Sequence, residues 1–241
     1  MGWGQRVFGV GLIALGAVTL AIGEAAGFTA LKAAGPAVLL AAGVALQWPR
    51  TATWAAAAVA AYELVVVMGL ENGPVIVRHA GEYLNYYGAA EPVALAAGAL
   101  VIFAHGAPLP AAAARRLIRA CQIAFGACAI YFGGSHFVAM GITAPLAPKW
   151  LPPSQEFWGY ATGVFHIAGG LALISGVQAR LAAILLTVMY AAFTPLVHIP
   201  MFLANHHSHR NWMENAMNIA LTGVAWVIAD ALSRPGRAAA A

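Results

Sequence analysis

The chain has 241 residues, of which 62% are hydrophobic and only 8% are charged, and its mean hydropathy is +0.78. Soluble globular domains carry roughly 25% charged residues, so this composition excludes a soluble domain and predicts a polytopic membrane protein whose main partner is the lipid bilayer. The formal net charge is +4. Because the basic residues are scattered between apolar runs and form no long basic tract, we predict no nucleic-acid binding.

Eight apolar runs follow one another along the chain, and nearly all are about as long as a bilayer-spanning helix. The predicted spans are residues 7–23, 33–48, 51–70, 87–105, 117–140, 157–177, 181–199 and 212–232. Turn-forming residues, such as Asn72-Gly73-Pro74 and the stretch from Pro145 to Pro153, mark the loops between them. Since Ala, Leu, Val and Gly dominate without the alternation of strands, the sequence predicts an all-α integral membrane fold.

Lysine and arginine are distributed unequally between the two faces that eight spans create. The face with both termini carries Arg6, Arg50, Arg115, Arg116, Arg119, Arg180, Arg234 and Arg237, and the opposite face carries Lys32, Arg78, Lys149 and Arg210. The positive-inside rule then places both termini in the cytoplasm, with the protein in an inner or plasma membrane. Most acidic and histidine residues lie toward the opposite, extracytoplasmic face, so we expect a polar functional site there.

The two halves of the chain show weak internal similarity. Residues 60–63 (AAYE) resemble residues 191–194 (AAFT), residues 87–104 resemble residues 212–229, and Arg6 opens the first span as Arg119 opens the fifth. A four-helix unit begins and ends on the same side, so a duplicated unit keeps its orientation, as in parallel repeats. This pattern predicts two parallel four-helix-bundle repeats, residues 1–110 and 111–241. A shared alanine-rich composition is the alternative explanation.

Several short motifs in the second half form a recognisable combination. They are Arg119, Gly133-Gly134-Ser135-His136-Phe137, the loop Pro148-Lys149-Trp150-Leu151-Pro152-Pro153, Phe157-Trp158, Gly169-Gly170 and Asn218. Through them, residues 117–232 resemble the DoxX-like family of small four-helix membrane proteins, and the first half matches only through the repeat. Members of that family resemble the small membrane subunit of a thiosulfate:quinone oxidoreductase. The resemblance therefore implies a fold and a link to quinones or to a redox partner protein, not a particular reaction.

A histidine-rich stretch lies between the last two spans. His136, His198, His207, His209 and Glu214 are all expected near the outer membrane surface, and imidazole with carboxylate suits zinc, copper or iron. We therefore predict His198, His207, His209 and Glu214 as metal ligands. The alternative is a polar loop with two hydrogen-bonded histidines at helix ends.

Polar residues within the spans supply the other candidates, because such groups are costly in lipid and need partners. Asn218 and Thr194 are the expected partners of His166, and a quinone carbonyl is the alternative partner. Glu63 is expected to form a first-half pocket with Tyr62 and Glu91, as a proton relay or a substrate contact. The predicted catalytic residues are Glu63, His166 and Asn218, and the predicted cofactor-binding residues are His136, His166 and Trp212, although an aromatic belt also accounts for Trp212.

Two functions remain open. The first is that of a quinone-linked membrane component of an electron-transfer or redox system, with a quinone or a transition metal as cofactor. The alternative is that of a non-enzymatic protein that binds or transports a metal ion or small solute, or assists assembly of a partner. The sequence contains no Ser-His-Asp order, P-loop, dinucleotide fingerprint or HExxH motif, so hydrolase, NTPase and Rossmann chemistry are poorly supported.

Overall fold

The computed structural model describes residues 2–25 and 30–233, and these residues form an all-α bundle without strands. Its main helices are α1 (Trp3–Ala25), α2 (Ala30–Ala45), α3 (Pro49–Arg78), α4 (Tyr87–Gly106), α5 (Ala111–Val138), α6 (Gln155–Ser175), α7 (Ala179–Ala204) and α8 (His209–Leu232). A 3-10 turn (Tyr83–Tyr86) precedes α4, and short turns (Met140–Thr143 and Ala144–Leu146) lie between α5 and α6. Arg234 and Arg237, and the side chain of Lys32, lie outside the described residues.

Seven of the described helices, all except α2, are long and apolar enough to cross a membrane. This confirms the predicted class, an all-α integral membrane protein. Helix α2 corresponds to the predicted run 33–48, and its 16 residues are fewer than the roughly 20 that a bilayer-spanning helix needs.

Helices α3 and α7 extend past the ends predicted from the sequence. Asn72-Gly73-Pro74 was expected to end the third span, but α3 continues to Arg78 because its backbone widens into π-helical turns over Tyr62–Asn72. Asn72 Nδ2 donates to the Val67 carbonyl at 2.8 Å, so a side chain compensates for the altered backbone bonding. Helix α7 contains a similar π-helical segment, Thr194–His198, which includes Pro195. In both helices the wider turns accommodate the missing proline N–H.

Helices α4 and α8 lie in the centre of the bundle. Consecutive helices pack against each other along the chain, and α8 also packs against α1 and α4. Of the seven long helices, α4 and α8 bury the largest share of their residues. Because Gly2 lies against Asp230, both ends of the described chain lie at one end of the bundle. We call it the terminal end, and we call the end with loops 79–86, 139–154 and 205–208 the far end.

Two antiparallel helix pairs, α1 with α2 and α5 with α6, approach closely through glycines. A Cβ atom on Gly9 of α1 would lie 2.8 Å from the Gly43 carbonyl oxygen of α2, and one on Gly126 of α5 would lie 2.9 Å from the Gly170 oxygen of α6. A Cβ atom at such a distance fits only if the neighbouring backbone shifts. Small residues are common at such helix interfaces in membranes.

In each of these two helix pairs, a glutamine side chain donates a hydrogen bond to a backbone carbonyl in or directly after the other helix. Gln5 Nε2 donates to the Leu46 carbonyl at 2.8 Å, and Gln122 Nε2 donates to the Leu173 carbonyl at 2.8 Å. These contacts match Gln5 with Gln122, which are 117 residues apart, whereas the sequence comparison matched Arg6 with Arg119, which are 113 apart. The contacts therefore shift the alignment of the two halves by four residues, about one helical turn. Arg119 also donates to the Leu173 carbonyl, whereas the Arg6 guanidinium lies over the Trp3 ring.

Candidate ligand cavity at the far end of the bundle

A cavity of about 220 Å³ lies at the far end of the bundle, between α4, α5, α6, α7 and α8 and next to loop 139–154. Its polar lining consists of Tyr87, Glu91, His136, Thr143, Trp158, Thr162, His166, Tyr190, His198, Glu214 and Asn218. Phe132, Phe193, Leu196 and Leu221 supply much of the apolar lining. The cavity thus brings together five residues that the sequence predicted for separate roles: His136, His166, His198, Glu214 and Asn218.

His166 lies on α6 and is almost fully buried. Its Nδ1 atom is 2.8 Å from the Thr162 carbonyl oxygen, one turn earlier in the same helix. The expected partners, Asn218 and Thr194, bond to each other instead: Asn218 Nδ2 donates to Thr194 Oγ1 at 2.9 Å and to the Tyr190 carbonyl at 3.0 Å. Asn218 therefore joins α8 to α7, and it leaves the His166 ring free to face the cavity.

His136 lies near the end of α5, beside His166. The two ring centroids are 5.4 Å apart. His136 Nδ1 is 3.2 Å from Thr162 Oγ1, and that hydroxyl donates to the Trp158 carbonyl at 2.7 Å. One threonine on α6 thus positions both imidazole rings, through its carbonyl for His166 and through its hydroxyl for His136.

Helix α7 contributes two polar atoms that lack a partner. The Tyr190 hydroxyl and His198 Nδ1 are buried, and neither makes a hydrogen bond within the described residues. The Tyr190 ring lies 5.4 Å from the His166 ring, and His198 is the last residue of the π-helical segment. Buried polar groups normally have a partner because leaving one unpaired costs free energy. Two such atoms on the lining of one cavity indicate a place for a bound molecule.

Two carboxyl groups, Glu91 of α4 and Glu214 of α8, also line the cavity. Glu214 Oε1 is 3.5 Å from Nε of Arg210, one turn earlier. Glu91 was expected in a first-half pocket with Tyr62 and Glu63, but α4 lies in the centre of the bundle and presents it to the second-half cavity. Glu63 is buried on α3 and is not part of the cavity lining.

The remaining predicted site residues lie outside the cavity. His207 lies in an exposed loop beside His206, with ring centroids 4.0 Å apart. The exposed His209 begins α8. Trp212 Nε1 donates to the His206 carbonyl at 2.9 Å. In the part of the chain that the structure describes, no group of three or more His, Cys, Asp or Glu residues is arranged to hold a metal ion. Two of the four predicted metal ligands, His198 and Glu214, line the cavity. The other two lie outside it, His207 in the exposed loop and His209 at the start of α8.

The loop between α3 and α4 borders the same end of the bundle. Glu82 Oε1 is 3.0 Å from His79 Nδ1, and Oε2 accepts a hydrogen bond from Asn85 Nδ2 at 2.8 Å. These bonds to His79 and Asn85 lower the pKa of Glu82 below its usual value. Tyr83 and Tyr131 each donate to the other's carbonyl oxygen, at 2.9 and 3.0 Å, and so attach the loop to α5.

Sequence reasoning missed Thr162 and Tyr190. Thr162 precedes His166 by four residues, so the two lie on one face of α6, and this spacing is a signal that was available. Tyr190 occurs within an apolar run and gives no comparable signal. Its role depends on how α7 is rotated against α6 and α8.

The fold and the cavity define an all-α membrane protein with a cavity at one end, whose mostly apolar lining carries several polar side chains. A family model described as "Domain of unknown function (DUF8561)" matches residues 125–233. The match covers less than half of the chain and runs from within α5 to the end of α8, the helices that supply most of the cavity lining. Comparison with curated proteins and with solved structures finds no match.

Proposed function

We propose that the cavity binds a small, flat, mostly apolar molecule of the quinone class, and that the protein is a quinone-linked membrane component of an electron-transfer system. The observation that carries this proposal is the pair of unpartnered atoms, the Tyr190 hydroxyl and His198 Nδ1, in a cavity otherwise lined largely by aromatic and aliphatic side chains. Ligand sites typically combine such an apolar lining with a few orienting polar groups.

The chemistry of the lining supports a quinone. Phe132 and Phe193 provide flat apolar surfaces next to His166, with ring centroids 6.5 and 6.2 Å from the imidazole. The Tyr190 hydroxyl can donate to a quinone carbonyl. Interconversion of a quinone and its hydroquinone moves two protons together with two electrons. Glu91 and Glu214 are carboxyl groups on the same lining that can exchange those protons, and the electrons pass to or from a redox partner protein.

The proposal includes the architecture: eight spans arranged as two parallel four-helix repeats, residues 1–110 and 111–241, with both termini in the cytoplasm. It is supported by the glycine and glutamine contacts, since Gly9 and Gly126, like Gln5 and Gln122, are 117 residues apart in the sequence. It is also supported by the π-helical turns in α3 and α7. In this arrangement the cavity belongs to the second repeat and α4, and it faces the extracytoplasmic side.

Isothermal titration of the detergent-purified protein with duroquinone tests the proposal. We expect saturable binding that weakens about fivefold in Tyr190→Phe, because the variant loses one neutral hydrogen bond of about 1 kcal/mol. Tyr160→Phe is the matched control, because Tyr160 is exposed and lies outside the cavity. Absence of saturable binding in the wild type, or equal affinity in the wild type and Tyr190→Phe, contradicts the proposal.

A further inference from the structure

The hydrogen bond of His166 fixes which of its ring nitrogens carries the proton. Nδ1 lies 2.8 Å from the Thr162 carbonyl oxygen, and a carbonyl oxygen only accepts hydrogen bonds. Nδ1 must therefore be the donor. A neutral imidazole has a single N–H, so Nε2 of His166 is left with a lone pair as a hydrogen-bond acceptor. This nitrogen makes no hydrogen bond within the described residues.

His136 is fixed in the same way through the Thr162 side chain. The Thr162 hydroxyl has one hydrogen, and its shortest contact is with the Trp158 carbonyl at 2.7 Å. The longer contact of 3.2 Å to His136 Nδ1 is then one in which the hydroxyl oxygen accepts. The neutral His136 ring consequently also donates from Nδ1 and keeps Nε2 as an acceptor. Thr162 thus makes both imidazoles acceptors on the lining of one cavity.

We propose that this cavity selects ligands that present hydroxyl donors, and therefore binds the hydroquinone form in preference to the quinone. This inference rests on the proposed function, because it specifies the form of the ligand in the same cavity. A hydroquinone hydroxyl can donate to Nε2 of His166 or His136, whereas a quinone carbonyl would place an acceptor against an acceptor. The Tyr190 hydroxyl can rotate to donate or to accept, so it serves both forms and does not set the preference.

Duroquinone and durohydroquinone form a matched pair of probes, because they share their ring and methyl groups and differ in the hydrogen-bonding oxygens. We expect anaerobic titration of the purified protein to show about tenfold tighter binding of durohydroquinone, the ratio that corresponds to about 1.4 kcal/mol. Thr162→Val, which removes the hydroxyl oxygen and frees the His136 tautomer, should reduce this preference severalfold. Thr162→Ser retains the hydroxyl and should restore it.

Nitrogen-15 NMR of histidine-labelled protein gives a readout that needs no ligand. We expect the His166 signal, assigned by its loss in His166→Gln, to show a protonated Nδ1 and an unprotonated Nε2. A protonated Nε2 overturns the inference.

The outcomes separate the two proposals. If duroquinone binds as tightly as durohydroquinone or more tightly, the preference is refuted while quinone binding stands. If duroquinone shows no saturable binding, the proposed function fails, and the inference that rests on it fails too.

Discussion

At the scale of single residues, Glu82 shows how one carboxylate orders the loop between α3 and α4. It accepts from Asn85 and pairs with His79 within a few residues of chain, and these bonds lower its pKa. A group whose pKa is lower in the folded protein stabilises the fold above its ordinary pKa, which is about 4.3 for glutamate. That stabilisation is lost as the pH falls through the folded-state pKa. The loop between α3 and α4 should therefore become less ordered in acid.

We predict that carbon-13 NMR titration of the Glu82 carboxyl gives a higher pKa in His79→Ala than in the wild type, because the substitution removes the hydrogen bond and the charge of His79. His105→Ala is the control: that histidine lies at the terminal end and bonds to the Val101 carbonyl of its own helix. Equal Glu82 titration curves in wild type and His79→Ala would show that the contact is absent in solution.

The individual polar residues of the cavity were largely predictable, and their neighbours were not. His166 and Asn218 stand out in the sequence because ionisable and amide groups are rare in apolar spans. Sequence does not reveal the rotation of each helix about its axis, which decides that Glu91 faces the cavity while Glu63 does not. For the same reason it could not separate His198, which lines the cavity, from His207, which lies in the exposed loop.

At the scale of helices, the α5–α6 contact depends on the absence of side chains at Gly126 and Gly170. The helix positions followed well from the apolar runs, but the close approach of these two helices did not. Glycines are frequent throughout this chain, and only the structure shows which of them lie against a neighbouring backbone. Likewise, Asn72-Gly73-Pro74 was expected to end the third span, and the π-helical turns of α3 and α7 leave no clear mark in the sequence.

We predict that Gly126→Ala lowers the unfolding free energy by about 1–3 kcal/mol, the usual cost of overpacking, because its methyl group would lie 2.9 Å from the Gly170 oxygen. Thermal unfolding in detergent measures the change. Gly141→Ala is the matched control, since nothing lies within 4 Å of a Cβ atom at that position. A melting temperature for Gly126→Ala equal to that of the control would contradict the tight contact.

At the scale of the whole molecule, the bundle has two distinct ends. The terminal end includes the start of α5, and the far end includes the cavity and the loop 139–154. The proposed orientation, derived from eight basic residues on one face against four on the other, places the cavity outside the cytoplasm. The sequence supplied that charge difference, but two of its arginines, Arg234 and Arg237, lie outside the described residues.

Cysteine labelling in intact cells tests this orientation. In a background in which the buried Cys121 and Cys128 are replaced by alanine, we predict that a membrane-impermeant maleimide labels Trp150→Cys in the far-end loop. It should label Arg116→Cys, at the terminal end, only after the membrane is permeabilised. The reverse pattern would invert the proposed orientation, and equal labelling of both sites before permeabilisation would contradict a membrane barrier between the two ends.

The central position of α8 has a consequence for biosynthesis. Helix α1 packs extensively against α8, and a Cβ atom on Gly223 of α8 would overlap the backbone of Phe8. Helix α1 leaves the ribosome before α8, so it has to wait for α8 before its interface is complete. At about 5–20 residues per second, translation of the roughly 200 intervening residues takes about 10–40 seconds. Throughout that interval α1 keeps an unfilled surface within the bilayer, and α4 lacks its contact with α8 once it has been made. Insertion of α8 is therefore the step that completes the centre of the bundle.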